Sequence, residues 1–306
     1  MNKDYLKYLA YKALPLESYL KLMYKWYHGG RLDFDNPKRY SEKLFWLKKY
    51  NGENNLALIR KCYDKYRVRE YMQEKGLIEH MPELYGVYNS PDEIDFSKFP
   101  TKYVIKISQS CGFNYINNGN VDIDEERIKQ ELLVWLNMAK DKTAMKKAYK
   151  DEHYYFDGNA VIICEEYLEC KNGSPCVDMG VFCFNGEPMF ACYDIDAIDE
   201  NGFRKKSYYR NTYTPDWELI PVDLGRKRNE GIFVEKPKNF DKMIEISKII
   251  SKDFPFVRVD LYNRDGQIFL GEITFIPQGA SQKILPIEFD YKFGEYLALP
   301  KLRNDK

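Results

Sequence analysis

The chain is poor in histidine and has no C-x-x-C pair, which removes much metal and nucleophilic chemistry at the outset. Three His occur among 306 residues, at 28, 80 and 153, and they form no zinc spacing. Seven Cys stand at 62, 111, 164, 170, 176, 183 and 192. Their odd number and their places in apolar runs (Ile163-Cys164, Phe182-Cys183-Phe184, Ala191-Cys192) predict buried, reduced thiols in a cytoplasmic protein. Neither sign of charge dominates: Lys plus Arg and Asp plus Glu number 47 each. The basic excess of a nucleic-acid binder is missing, and Arg226-Lys227-Arg228 and Lys146-Lys147 read as solvated faces. No run of 18 apolar residues predicts a membrane span, and Met1-Asn2-Lys3-Asp4 opens without the apolar core of a signal peptide. No Walker A pattern is present.

What remains is a globular composition, 44% hydrophobic and 16% aromatic with 26 Tyr. The aromatics suit carbohydrate or base stacking, but a low-GC codon bias toward Tyr, Lys, Asn and Ile is the simpler account of them. Apolar spacing predicts a helix over 5–28, ended by Gly29-Gly30. A second is expected from Ser41 as cap through Leu44-Phe45-Trp46-Leu47, and a third over 57–76. Strand 103–107 carries a Lys and leads into the small, polar loop Ser108-Gln109-Ser110-Cys111-Gly112. Helix 124–140, strand 161–164, a hairpin of 178–184 with 189–193, helix 239–252 and a hairpin of 256–262 with 267–273 complete an α+β pattern.

The last hairpin is the most informative segment. Alternation puts Arg258 and Asp260 on one strand face, with Glu272 and Thr274 beside them, while Val257, Val259, Leu261 and Ile273 are apolar. Charges inside strands are costly to bury unless paired or bound to a cation. Two facing carboxylates with an oxygen neighbour suit Mg²⁺, and Arg258 beside them suits a transferring phosphate or an oxyanion. A structural Arg–Asp–Glu network is the other reading of the same pattern. Lys106, before the Ser/Gly loop, fits a phosphate contact. The backbone of Ser110, Cys111 and Gly112 is expected to cover phosphates as a mobile lid. Asp64-Lys65-Tyr66-Arg67-Val68-Arg69-Glu70 is a dense polar helix start. Glu165-Glu166-Tyr167-Leu168, at a buried strand's end, could offer backbone and carboxylate partners to adenine and ribose.

These segments resemble, in order, those of the TupA-like ATP-grasp family, named for teichuronopeptide biosynthesis. The resemblance is carried by Asn36-Pro37-Lys38-Arg39-Tyr40-Ser41-Glu42-Lys43-Leu44, Asp64-Lys65-Tyr66-Arg67-Val68-Arg69-Glu70-Tyr71 and Tyr103-Val104-Ile105-Lys106. It continues in Cys183-Phe184-Asn185-Gly186, Arg258-Val259-Asp260-Leu261-Tyr262 and Gly271-Glu272-Ile273-Thr274-Phe275. It implies an α+β ATP-grasp fold with a helical N-terminal region (1–62), a lid and nucleotide-binding subdomain (63–165) and a core with the metal hairpin (166–306). It further implies Lys65 and Lys106 on phosphates, Glu165 to Leu168 as adenine hinge, Asp178 on ribose, Asp260 and Glu272 on Mg²⁺, and Arg258 as the catalytic arginine. The family's usual third metal ligand is an Asn; Thr274 stands there. The activity implied is ATP- and Mg²⁺-dependent ligation of a carboxylate to an amine through an acyl phosphate, in surface-polysaccharide synthesis or modification. A nucleotide-sugar glycosyltransferase and a non-catalytic carbohydrate-binding protein are the alternatives.

Overall fold

The computed structural model describes residues 3–119, 123–174, 176, 178–199 and 204–301. Helices α1 (Lys3–Ala13) and α2 (Leu16–His28) replace the single helix expected over 5–28. Pro15 lacks an N–H to continue the first and stands at the N-cap of the second. Gly29, at φ 76°, closes α2 in the left-handed region that glycine adopts without penalty. Helix α3 (Tyr40–Glu53) begins differently from expectation. Ser41 lies inside it and bonds to Asp290 through its N–H (2.8 Å) and its hydroxyl (2.6 Å). The N-terminal donors of Lys38 and Arg39 are taken by Glu42 instead (2.7 and 3.0 Å). The expected helix 57–76 is two: α4 (Leu56–Tyr63) and α5 (Val68–Glu74). Asp64 separates them, because its carboxylate captures the N–H groups of Tyr66 (2.9 Å) and Arg67 (3.0 Å).

Strands β1 (Leu84–Tyr88), β2 (Tyr103–Ile107), β3 (Asn114–Asn117) and β4 (Ile162–Glu166) form an antiparallel sheet in the order β1-β4-β2-β3. Helices α6 (Glu125–Lys140) and α7 (Lys142–Tyr149), capped by Asp124 and Asp141, lie between β3 and β4, and α6 packs on β2.

The second sheet is built from β5 (Asp178–Phe184), β6 (Glu187–Ile195), β7 (Tyr209–Tyr213), β8 (Leu219–Ile220), β10 (Phe256–Arg264) and β11 (Gln267–Thr274). It is antiparallel, in the order β11-β10-β5-β6-β7-β8. The short strand β9 (Asp223–Leu224) pairs with β12 (Ile284–Leu285), and α9 (Glu288–Tyr296) ends the described fold. Helix α8 (Phe240–Ser251) packs on β5, β6 and β10, burying Phe240, Met243, Ile246 and Ile250. Each such side chain contributes roughly 1.5–3 kcal/mol. On the sheet's other face Tyr40 of α3 and Phe293 of α9 close an aromatic core over Phe184, Phe190 and Phe256. The part of that face nearer Gly180 and Asp260 is left open, and the site lies there.

Candidate active site

A cavity of about 660 Å³ lies between the two sheets, and the β10–β11 hairpin supplies one wall. The register pairs Arg258 with Thr274 and Asp260 with Glu272, as alternation predicted. A bulge follows Asp260, and at Gly271 an added Cβ would lie 2.9 Å from the Tyr262 ring. The Arg258 guanidinium spans the group. It donates to both oxygens of Asp260 (Nε to Oδ1, 2.6 Å; Nη2 to Oδ2), to Glu272 (3.3 Å) and to the Thr274 hydroxyl (3.1 Å). That hydroxyl lies 3.3 Å from Asp260 and 3.1 Å from Glu272. Gly180 makes the arrangement possible: a Cβ there would stand 2.9 Å from both Arg258 Cδ and Asp260 Oδ1.

Asp260 is buried, whereas the Glu272 side chain is 50% exposed at the cavity. Enclosure by the cavity walls would raise the Glu272 carboxyl. Arg258, Lys65 and hydrogen bonds from its neighbours outweigh this and hold it below the ordinary carboxylate range.

Lys65 lines the same cavity, between α4 and α5. Its N–H bonds to Ser108 O (3.0 Å) and its ammonium to Ser110 O. Burial pushes its pKa below the ordinary lysine range. Lys106 stands in β2 and pairs with Glu165 on β4. Glu165 also meets Arg69 (3.4 Å), and Glu166 pairs with Arg264. The carboxylates of Glu165 and Glu166 are thus both engaged in ion pairs.

Beside residues 165–168 lies a second cavity of about 310 Å³. Val104, Ile116, Leu168 and Leu270 give it apolar walls, and Glu165, Glu166, Tyr167 and Gly112 border it. Lys106, Asn114, Arg204 and Tyr262 line both spaces, so the two adjoin. A slot with apolar side chains on part of its wall and cationic groups at its edge suits a flat base with a charged tail. Asp178 opens β5, but its side chain lies outside the described residues.

The loop after β2 differs from the mobile, loosely packed cover that its composition suggested. Ser108, Gln109 and Ser110 are buried. Ser108 and Gln109 bond to Asp64 (3.2 and 3.0 Å), Gln109 also to Asp157 (2.6 Å), and the Ser110 hydroxyl turns back to Ile107 O (2.9 Å). Of the predicted phosphate cover, Cys111 and Gly112 are the exposed part.

Sequence reasoning missed two charged groups in the main cavity. Arg204, Tyr208, Arg210 and Asp194 line one end, and Lys48, Asp151 and Glu152 another. The available signal was a charge within a strand, Asp194 in β6 and Arg210 in β7, the same signal that Arg258 gave. Among the described residues no group of three His, Cys, Asp or Glu is placed to hold a metal; the hairpin offers two carboxylates and a hydroxyl.

Among curated proteins, none matches this sequence. Solved structures with similar folds include D-alanine–D-alanine ligase from Bacillus anthracis (15% identity, TM-score 0.39, 71% of this chain and 58% of that one). Phosphoribosylamine–glycine ligase from Thermotoga maritima is similar at 17% identity and TM-score 0.42, over 74% of this chain and 51% of that one. D-cycloserine synthetase DcsG is similar at 14% identity and TM-score 0.41, over 88% and 86%. The chain therefore spans little more than half the length of the first two. The TupA-like ATPgrasp family matches residues 42–298, the greater part of the sequence, and the chain belongs to that family.

Proposed function

We propose that this protein is an ATP- and Mg²⁺-dependent carboxylate–amine ligase that works through an acyl phosphate, on a carboxylate of a surface polysaccharide or its precursor. The observation that carries the reading is the junction of the two cavities. A partly apolar slot beside residues 165–168 opens past Lys106 into a space lined by Lys65, Arg258, Asp260 and Glu272. The polysaccharide context rests on the family alone.

In this reading adenine occupies the slot against the hinge backbone. Lys65 and Lys106 carry the phosphates, with residues 63–165 acting as the nucleotide-binding part. Asp260, Glu272 and Thr274 would hold Mg²⁺: hard oxygen donors fit it, and Glu272 is open to the cavity. Bound there, the ion would supply charge neutralisation on the phosphates. Arg258 orients the substrate carboxylate, whose oxygen attacks the γ-phosphorus as ADP leaves. The amine then attacks the acyl carbon, the oxyanion develops beside Arg258, and phosphate departs with the proton that the amine gives up, leaving the amide. Lys65, lowered by burial, gains more from an incoming phosphate than a solvated lysine would.

Calorimetry of the full chain with ATP, ADP and UDP-glucose, each with Mg²⁺, tests this. ATP is expected to bind and, at 100-fold over its Kd, to stabilise the fold by roughly 2.7 kcal/mol. Binding of UDP-glucose without ATP would favour a glycosyltransferase and end the ligase reading.

A further inference from the structure

Helices α1 and α2 present a surface that the ligase chemistry above does not use. They form a hairpin around Pro15, closed by the Tyr11 and Tyr19 rings, whose centroids are 5.2 Å apart, and by Lys7, whose ammonium lies 5.0 Å from the Tyr27 ring centroid. Helix α2 buries Tyr19, Leu20, Met23 and Tyr24. Leu22 and Trp26, four positions apart on it, share a face that stays outside, and Trp26 is 52% exposed. Helix α1 buries no residue, and Tyr5 and Leu9, again four apart, are exposed, Tyr5 at 46%. Leu14 and Leu16 are exposed on either side of Pro15. Single apolar side chains at a surface need no account, but six large ones between Tyr5 and Trp26 do. A helix of 11 residues is too short to be stable alone in water, and α1 has only half-buried contacts to hold it. A surface that covered its exposed apolar side chains would supply the missing packing.

The charge of the hairpin points to what covers it. The chain as a whole is neutral, yet residues 3–28 hold five Lys (3, 7, 12, 21 and 25) against two acids, Asp4 and Glu17, a net charge of +3. No Arg occurs before Arg31. Protein interfaces favour Arg and are depleted in Lys, so this composition argues against a protein partner. Lys with Leu, Tyr and Trp is instead the composition of a helix that lies in the boundary of an anionic bilayer. There lysine stems lead their ammonium groups to the phosphates, Tyr and Trp sit at headgroup level, and leucines reach the acyl chains. Among the described residues no helix is long and apolar enough to cross a membrane, so such a contact lies on the bilayer and does not span it.

We propose that the α1–α2 hairpin docks the protein on an anionic lipid surface, with Leu22 and Trp26 entering the headgroup boundary and the lysines meeting lipid phosphates. Tyr19 and Met23 of α2 line the main cavity, so docking sets that end of the cavity beside the bilayer. The contact does not depend on the ligase chemistry.

Co-sedimentation of the full chain with lipid vesicles is the test. The probes are vesicles of phosphatidylcholine alone and of equal parts phosphatidylcholine and phosphatidylglycerol, at about 0.1 M and about 0.5 M NaCl. At low salt the anionic vesicles should bind about tenfold or more tighter than the neutral ones, and the preference should shrink at high salt. Tryptophan emission should shift to the blue on binding. The other three Trp are buried or half-buried, so Trp26→Phe should abolish the shift while keeping most of the affinity. Leu22→Ser with Trp26→Ser, and separately Lys3→Gln with Lys12→Gln and Lys25→Gln, should each weaken binding by about tenfold or more. All five side chains are exposed, so the unfolding midpoint without lipid should barely move. Binding to neither vesicle, equal binding to both, or binding that the substitutions leave unchanged overturns the proposal. Self-association without lipid that Leu22→Ser with Trp26→Ser abolishes overturns it too, by giving the face to a second copy of the chain.

Discussion

Arg258 is the residue on which the hairpin turns, because its one guanidinium meets Asp260, Glu272 and Thr274 together. Removing the Glu272 charge therefore separates architecture from chemistry. Glu272 is half exposed, and its partners hold its carboxyl below the usual range, so the ionised form favours the fold by a small, solvent-screened amount. In Glu272→Gln the stability of the nucleotide-free protein should fall slightly, by no more than about 0.5 kcal/mol. ATP turnover should fall by about 100-fold or more. Paired denaturation and turnover measurements check this; large destabilisation with normal turnover would make the hairpin a structural network. The four hairpin residues were legible because alternation displays them. Arg210 was not, since Tyr209-Arg210-Asn211-Thr212-Tyr213 lacks the aliphatic alternation that marks a strand, although four of its five residues are buried.

At the scale of elements, the segment after β2 shows why composition misleads. Small polar residues suggested a mobile lid. Yet Ser108 and Gln109 are tied to Asp64, and Gln109 to Asp157, by partners distant in sequence that no local pattern reveals. The same tie fixes Lys65, whose N–H is bonded to Ser108. Burial would raise the Asp157 carboxyl. Gln109, the Asn159 N–H and Arg67 outweigh it and hold the group at about 2, against an ordinary value of 3.8. A depressed carboxyl stabilises the fold above its unfolded pKa, and the gain is lost as pH falls through the folded one. Asp157 should thus contribute about 2 kcal/mol at neutral pH, lost between about pH 4 and about pH 2. Asp157→Asn should lower neutral stability by that order and flatten the acid limb. Denaturant titrations of both proteins from pH 7 to pH 2 are the measurement, and an unchanged acid limb would count against the anchor.

Across the whole molecule, the N-terminal helices belong to the site as much as to the scaffold. The family match begins at residue 42, yet Tyr19 and Met23 of α2 line the main cavity. The helical character of this region was readable from apolar spacing; its place against the cavity was not, because the contacts join distant parts of the chain. One of these is made by Lys48 of α3, which reaches Asp151 (2.7 Å) and Glu152 (2.8 Å) after α7. Lys48 is 5% exposed and Asp151 9%. Burial alone would lower the Lys48 ammonium, but the two carboxylates reverse this and hold it well above the ordinary lysine range. Its contribution is present through neutral pH and is lost only in strong alkali, as pH rises through that raised value. Lys48→Met keeps an unbranched stem of similar length, removes the ammonium that lies 5.1 Å from the Phe45 ring centroid, and leaves the buried Asp151 and the part-buried Glu152 without their cation. Breaking such a group typically costs about 3–5 kcal/mol, more than any loss of packing at this position. Urea unfolding should show that loss in Lys48→Met. The triple variant with Asp151→Asn and Glu152→Gln should recover much of it, since the uncompensated charges are then gone. A single variant within about 1 kcal/mol of the wild type would mean that these ions are solvated and do not clamp the N-terminal helices to the rest of the fold.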